Sequence, residues 1–256
     1  MPAINFTVRG SGFSLVFIHG FCEDHSVWNH LQETLSKSYK VYCIDLPGFG
    51  ESPLPKLPFS LVDISEQVFT WAQTQDINQA AIIGHSLGGY VALEIAKSHP
   101  EFVKSLGLIN STAFADDEEG KAKRDKALDF LEKFSMEKFI APFTPSLFNL
   151  KRKEDHKEAI AKATALAMKT TKEAAKAYTL AMRNRPDNFE LWKNLNCPTL
   201  YIGGLVDHRI PVEKAEAHIE ERTDVDGYLM REVGHMAMLE EPTETIQIIK
   251  DFLSKL

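Results

Sequence analysis

A serine, a histidine and an aspartate can together make a nucleophile of a hydroxyl group, and this chain spaces all three suggestively. Gly84-His85-Ser86-Leu87-Gly88-Gly89 places a serine between the apolar run Ala80-Ala81-Ile82-Ile83 and the stretch Tyr90 to Lys97, where apolar residues recur three and four apart. The pattern reads strand, abrupt turn, helix. A serine at the apex of such a G-x-S-x-G turn is held in a strained backbone conformation with its hydroxyl pushed out of the sheet. Glycine at 84 and 88 lets neighbouring backbone pass close by. The alternative is a glycine-rich turn without chemistry. A serine hydroxyl is inert at neutral pH without a base, and the base needs an orienting carboxylate.

Active sites of parallel sheets lie beyond the carboxyl ends of the strands, so the partners are sought there, in the chain order serine, acid, histidine. Asp207 follows the apolar run ending at Gly203 and precedes Pro211; His235 follows the last apolar run in Val233-Gly234-His235-Met236. These two complete the expected set. Asp116 and Asp117 are rivals for the acid, but the run Asp116-Asp117-Glu118-Glu119 reads as the first turn of a helix, where the dipole favours carboxylates. His19 and His85 also stand at strand ends, beside glycines, in packing or loop roles. His25, His30, His99, His156, His208 and His218 fall on helices or loops and read as solvated. Negative charge developing on a carbonyl oxygen requires fixed donors, for which the backbone N–H groups of Leu87 and Phe21 are the candidates. Cys22, beside Phe21, lacks a strand-turn-helix context and reads as a bystander.

The elements that must position these groups follow from periodicity. Ile4 to Arg9 and Ser14 to Ile18 read as a hairpin or two early strands, followed by a helix over 26–37, a buried strand over 41–44, a Pro/Gly loop over 45–52 and a helix over 61–75. After the helix that follows Ser86, Val103 to Ile109 is another strand. The alternation specifies a mostly parallel sheet with helices on both faces. From about 111 to 195 the strands stop. Helices over 121–134 and 154–168, and a capping box Thr170-x-x-Glu173 opening a third, predict a helical cap between core segments 1–110 and 196–256. Strands over 197–203 and 227–233 and helices over 213–220 and 242–256 restore the rhythm.

Composition narrows the partners. The 256 residues carry a formal charge of -7, which argues against nucleic acid or an anionic membrane as the main partner. Cys22, Cys43 and Cys197 are odd in number and far apart, without metal-ligand spacing, so no disulfide framework or structural metal site is expected. Cys43 and Cys197 read as core thiols. The longest N-terminal apolar run, Leu15 to Ile18, is too short for a signal-peptide core, and no stretch approaches the ~20 residues of a membrane span, which makes the cytoplasm the default location.

His19-Gly20-Phe21, the loop Asp45 to Ser52, the Gly84 to Gly89 turn, Gly-x-x-Asp-x-x-x-Pro over Gly204 to Pro211, and Gly234-His235 resemble the α/β-hydrolase superfamily over nearly the whole chain. The resemblance is greatest to its small, soluble esterase, lactonase and haloperoxidase-like members. It implies an eight-stranded sheet, of which this chain is expected to lack the first strand. It also implies hydrolysis of a carboxylic ester, thioester or lactone through an acyl-serine, with no metal or organic cofactor. Serine in place of aspartate at position 86 sets aside haloalkane dehalogenation and epoxide hydrolysis. The same residues serve carbon-carbon bond hydrolases and perhydrolases, and a small-molecule receptor or regulator could also use this scaffold. Phe139-Ile140-Ala141-Pro142-Phe143 and Leu147-Phe148, with Phe114, Phe130, Phe134 and Met136, make the cap aromatic; a minority of them is expected to line a pocket for an apolar acyl or alkyl group. Arg183 and Arg185 could meet a substrate carboxylate, or serve solubility. The Lys-rich stretch Lys157 to Ala181 reads as a solvated helical pair.

Overall fold

In the computed structural model, which describes residues 3–256, the strands β1 (Phe6–Arg9), β2 (Ser14–Ile18), β3 (Lys40–Ile44), β4 (Ala80–His85), β5 (Val103–Ile109), β6 (Thr199–Gly204) and β7 (Val225–Met230) form one sheet. Its spatial order is β1-β3-β2-β4-β5-β6-β7. The early strands do not make a hairpin. Both pair with β3, β1 antiparallel with Phe6 opposite Ile44 and β2 parallel with Ile18 opposite Ile44, and every other pairing is parallel. The seven strands are one fewer than the eight of the family pattern.

Around the sheet run α1 (Asn29–Leu35), α2 (Leu61–Thr74), α3 (Leu87–Ser98), α4 (Glu118–Lys133), α5 (Met136–Phe143), α6 (Lys157–Ala167), α7 (Lys172–Arg183), α8 (Phe189–Lys193), α9 (Val212–Glu220), α10 (Ala237–Glu240) and α11 (Pro242–Leu253). The period-two alternation of buried strands separates two cores. Val16, Ile18 and Ile82 pack on the α2 and α3 side with Val68, Trp71 and Val91. Leu15, Phe17 and Ile83 pack on the α1 and α11 side with Trp28, Leu31 and Ile249. Helix starts follow local chemistry. Ser60 and Asp63 form a reciprocal capping box on α2, and Asp117 accepts the Gly120 N–H at the start of α4, with Glu118 and Glu119 in its first turn.

Between β5 and β6 the described residues are helical or irregular, with five α-helices, α4 to α8. The capping reading shifts by one: Thr171, not Thr170, caps α7, because its side chain reaches the Ala174 N–H. The strand expected over 227–233 ends at Met230, so residues 231–234 leave the sheet and carry His235 back over it. The helix expected from residue 26 begins as one 3-10 turn, His25–Trp28. Two histidines read as solvated are buried. His218 is fully enclosed and His156 is 6% exposed. Cys197 is half-buried rather than a core thiol, and all three cysteines are free. Among the described residues, no helix is long and apolar enough to cross a membrane.

Candidate active site

β4 delivers His85, and α3 begins at Leu87, leaving Ser86 alone at the turn with φ 48° and ψ -113°. A non-glycine residue in this region costs on the order of 1–3 kcal/mol and persists only where its surroundings over-determine it. Here they do. A Cβ on Gly88 would lie 2.2 Å from the Ile18 carbonyl oxygen, and one on Gly84 would lie 2.4 Å from the Gly88 backbone, so neither position admits a side chain. The Ser86 N–H donates to the Ile109 carbonyl at 3.0 Å, and the Ser111 hydroxyl donates to the Ser86 carbonyl at 2.7 Å.

The ends of β6 and β7 meet this turn. His235 Nδ1 lies 2.7 Å from Asp207 Oδ2, and His235 Nε2 lies 2.9 Å from Ser86 Oγ. A carboxylate only accepts, so the imidazole proton sits on Nδ1, and Nε2 accepts the serine hydroxyl proton. Asp207 is held in turn by the Arg209 and Ile210 N–H groups on Oδ1, at 2.7 and 3.1 Å. Both side chains are nearly closed to solvent, at 5% and 1% exposure. The three residues singled out from the sequence therefore converge in one hydrogen-bonded chain.

Other residues in this frame are not among those singled out from the sequence. Asn110, at the end of β5 with φ 45°, donates to Asp207 Oδ2 and to the Gly234 carbonyl and accepts the Ala237 N–H. Its position at a strand end was the available clue. Glu240, buried on α10, accepts the Gly234 and Met236 N–H groups on one oxygen and the Asn149 N–H on the other. The His235 N–H donates to the Leu147 carbonyl at 2.6 Å, so the helical segment grips the loop that carries the histidine.

A buried charge pair lies behind the site. His85 Nδ1 is 3.1 Å from Glu23 Oε2, and His85 Nε2 is 2.8 Å from the His235 carbonyl. Both ring nitrogens face acceptors, which requires the doubly protonated ring. Burial is the largest influence and opposes that charge, but the Glu23 carboxylate, the His235 carbonyl and Asp207 together outweigh it and raise the His85 pKa. Burial likewise opposes the Glu23 anion, and the His85 charge leads the interactions that bring its pKa down. Glu23 also accepts the Gly20 N–H at 2.8 Å, holding the His19–Gly20 peptide, one before the peptide that carries the Phe21 N–H. His19 has the packing role expected of it: Nδ1–H donates to the Gly20 carbonyl and Nε2 accepts the Leu46 N–H. Burial lowers its pKa.

A cavity of about 320 Å³ opens beside Ser86 and His235. Phe21, Phe139, Phe143, Leu147 and Met182 form its apolar wall, so a minority of the aromatic residues named from the sequence does line it. Phe148 is instead fully buried, and Phe114 stacks on Phe189 at 3.9 Å. The rival acids have other partners: Asp116 pairs with Arg185 at 2.9 Å and Arg124 at 3.1 Å, and Asp117 caps α4. Arg185 is no surface residue; its guanidinium lies 4.3 Å from the Tyr90 ring centroid and donates to the Phe114 and Met182 carbonyls. Arg183 is held by Asp125. Asp24, His25 and Asp45 offer ligand atoms within 4.8 Å of one another. These donors serve the loops instead, with Asp24 capping Ser26 and Asp45 accepting from His25, Asn5 and Glu51.

A model of the alpha/beta hydrolase family matches residues 15–248. The chain belongs to that family. An esterase from Thermogutta terrifontis is 26% identical with a TM-score of 0.93, over 98% of this chain and 93% of that one. The 2-hydroxy-6-oxo-6-(2'-aminophenyl)hexa-2,4-dienoic acid hydrolase of Metapseudomonas resinovorans is 24% identical over 96% of this chain and 86% of its own length. A pimeloyl-[acyl-carrier protein] methyl ester esterase of Aeromonas hydrophila is 38% identical over 40% of this chain and 39% of its own. The chain spans about a third of the length of the first curated relatives it matches.

Proposed function

We propose that this hydrolase cleaves a carboxylic ester, thioester or lactone of a small molecule through an acyl-Ser86 intermediate. The carrying observation is the chain Ser86 Oγ, His235, Asp207, closed at 2.9 and 2.7 Å beside an apolar cavity. In this reading His235 Nε2 takes the Ser86 proton as Oγ attacks the substrate carbonyl carbon. The oxyanion is held by the Leu87 N–H, at the N-terminus of α3, and the Phe21 N–H, whose preceding peptide Glu23 fixes; one such donor typically contributes about 3 kcal/mol. Collapse breaks the bond to the alcohol or thiol, which leaves with the proton from His235. Water, deprotonated by His235, then attacks the acyl-serine and releases the acid and free Ser86. Asp207 keeps the imidazole in the required tautomer throughout. Every group needed comes from the chain, so no metal or organic cofactor enters the sequence of steps.

Residues 111–195 act as a cap that sets specificity, its aromatic wall accepting an apolar acyl or alkyl group. Free cysteines and the absence of a spanning helix among the described residues agree with a cytoplasmic enzyme. The esterase relatives favour ester bonds. The dienoic acid hydrolase keeps a carbon-carbon bond hydrolase as the second reading on the same residues. A fluorophosphonate probe is expected to label the wild type and not Ser86→Ala. A panel of p-nitrophenyl esters, lactones and acyl thioesters then ranks the bond types. Equal labelling of both proteins removes Ser86 as nucleophile, and a labelled protein that turns over none of the panel favours the second reading or a receptor.

A further inference from the structure

Besides the His85 ring, which pairs with Glu23, four lysine and arginine side chains line the cavity that holds Ser86, and three of them have acids: Lys123 with Glu119 at 2.8 Å, Arg124 with Asp116 at 3.1 Å, and Lys214 with Asp117 at 3.4 Å. The fourth, Arg209, has no ion-pair partner among the described residues. Its position is nonetheless defined. The Arg209 N–H is tied to Asp207, its guanidinium lies 4.9 Å from the Phe143 ring centroid, and one terminal N–H donates to the Ser146 hydroxyl at 2.7 Å. A guanidinium carries five N–H donors, so most of this one is uncommitted. Asp116, the acid nearest in role, is already shared by Arg124 and Arg185. Desolvation and the neighbouring Arg124 charge lower the Arg209 pKa and Asp207 only partly opposes them, so two guanidiniums share one field. An anion entering the cavity relieves that repulsion.

Building on the esterase reading, we propose that Arg209 is a specificity-determining residue that binds a carboxylate on the substrate, remote from the ester bond cleaved at Ser86. The planar fork suits a carboxylate held bidentately, with Phe143 beneath it restricting its orientation. The apolar wall then receives the methylenes between the two ends of the substrate. The preferred class is the half-ester of an aliphatic dicarboxylic acid or a lactone that carries a free carboxylate. This assigns a charge to the substrate, whereas the apolar wall alone predicts a neutral chain.

The test compares monomethyl adipate with methyl hexanoate, two esters of equal chain length that differ in the terminal carboxylate. The wild type is expected to show at least a ten-fold higher kcat/KM for monomethyl adipate, chiefly through KM. In Arg209→Gln the ratio between the two esters is expected to fall at least ten-fold, and in Arg209→Glu to invert. If Arg209 only tethers Ser146 and Phe143, both esters lose activity together and the ratio stays constant, which overturns the proposal. A wild-type ratio near one overturns it as well. Should neither ester be hydrolysed, the hydrolase reading is judged separately by fluorophosphonate labelling and the wider substrate panel. The anion subsite is then judged by calorimetry of monomethyl adipate with Ser86→Ala protein. Binding that weakens at least ten-fold on adding Arg209→Gln supports the subsite, and binding that is absent or indifferent to the change overturns it.

Discussion

The strand ends around Ser86 and the helices between β5 and β6 are held by different kinds of interaction. At the strand ends, position is set by backbone: glycines that admit no Cβ, peptide groups bonded across β2, β4, β5 and β6, and side chains such as Asn110 and Glu240 that bond to loop amides. In the helical segment, position is set by side chains packing on side chains. Phe139 stacks on Phe143, Phe130 meets Phe134, and Arg183 pairs with Asp125 across α4 and α7, this last pair partly in solvent. Backbone constraints tolerate almost no substitution, whereas side-chain packing can be redrawn at modest loss. On the proposed reading, the first region carries the mechanism and the second shapes the apolar part of the pocket, while Arg209 brings a selectivity element to the strand ends.

That division is broken most severely at its centre. Ser86→Ala is expected to lower kcat on any accepted ester by about 10^6-fold, and Asp207→Asn, which disturbs the tautomer, by about 10^4-fold. Circular dichroism and melting temperature should stay close to wild type. Residual activity above a few per cent in Ser86→Ala would move the nucleophile elsewhere.

A smaller effect probes the charge pair behind the site. Glu23→Ala leaves the His85 charge buried and the Gly20 N–H unsatisfied, and breaking such a pair costs about 3–5 kcal/mol of stability. Loosening of the His19–Gly20 peptide, one before that of the Phe21 N–H, is expected to lower kcat by up to about 10^2-fold with KM nearly kept, as a misplaced group does. Glu23→Gln keeps an acceptor for Gly20 and should recover much of the rate. An equal fall in both variants would show that the charge of Glu23 matters more than its hydrogen bond.

On the cap side, Phe143→Ala is expected to act on selectivity. It removes part of the apolar wall, so kcat/KM for long acyl chains should fall about 10-fold or more relative to acetyl esters. A uniform loss across chain lengths would place Phe143 with the strand-end machinery instead.

The same division explains what could be read from the sequence. Glycines and solid apolar runs are local signals, so the mostly parallel sheet and the positions of Ser86, Asp207 and His235 at its strand ends were legible. Asn110 and Glu240 were not, because their roles arise only when residues far apart in the chain meet, as Asn110 and Gly234 do across 124 positions. Glu23 is not singled out in the sequence, and its role emerges only from its contact with His85, 62 positions away. In the helices, Phe143 lines the cavity while Phe148, five residues on, is wholly internal, and no periodicity separates them across the break between α5 and the following 3-10 turn. His218 reads as solvated, and Arg185 as a substrate contact or a solubilising charge, because burial of a polar group depends on partners brought by other elements.

His218 gives the mildest test, at the junction of the two regions. Its Nδ1–H donates to the Lys214 carbonyl and its Nε2 accepts the Ala113 N–H, so a neutral ring on α9 anchors the chain where it leaves the sheet for the helices. It stacks on Tyr201 at 4.7 Å, and burial lowers its pKa to about 4. The unfolded chain has the ordinary value of about 6.5. Between these values the unfolded state binds a proton that the native state refuses, so the contribution is complete above pH ~6.5 and is lost as pH falls toward ~4. That loss is on the order of 3 kcal/mol. Urea midpoints at pH 7 and pH 4.5 should therefore differ less in His218→Gln, whose amide can keep both hydrogen bonds without titrating, than in the wild type. Since the residue lies away from the Ser86 hydrogen-bonded chain, hydrolysis at pH 7 should change little. Parallel acid destabilisation of the two proteins would assign the pH dependence to other groups and leave the junction held by packing alone.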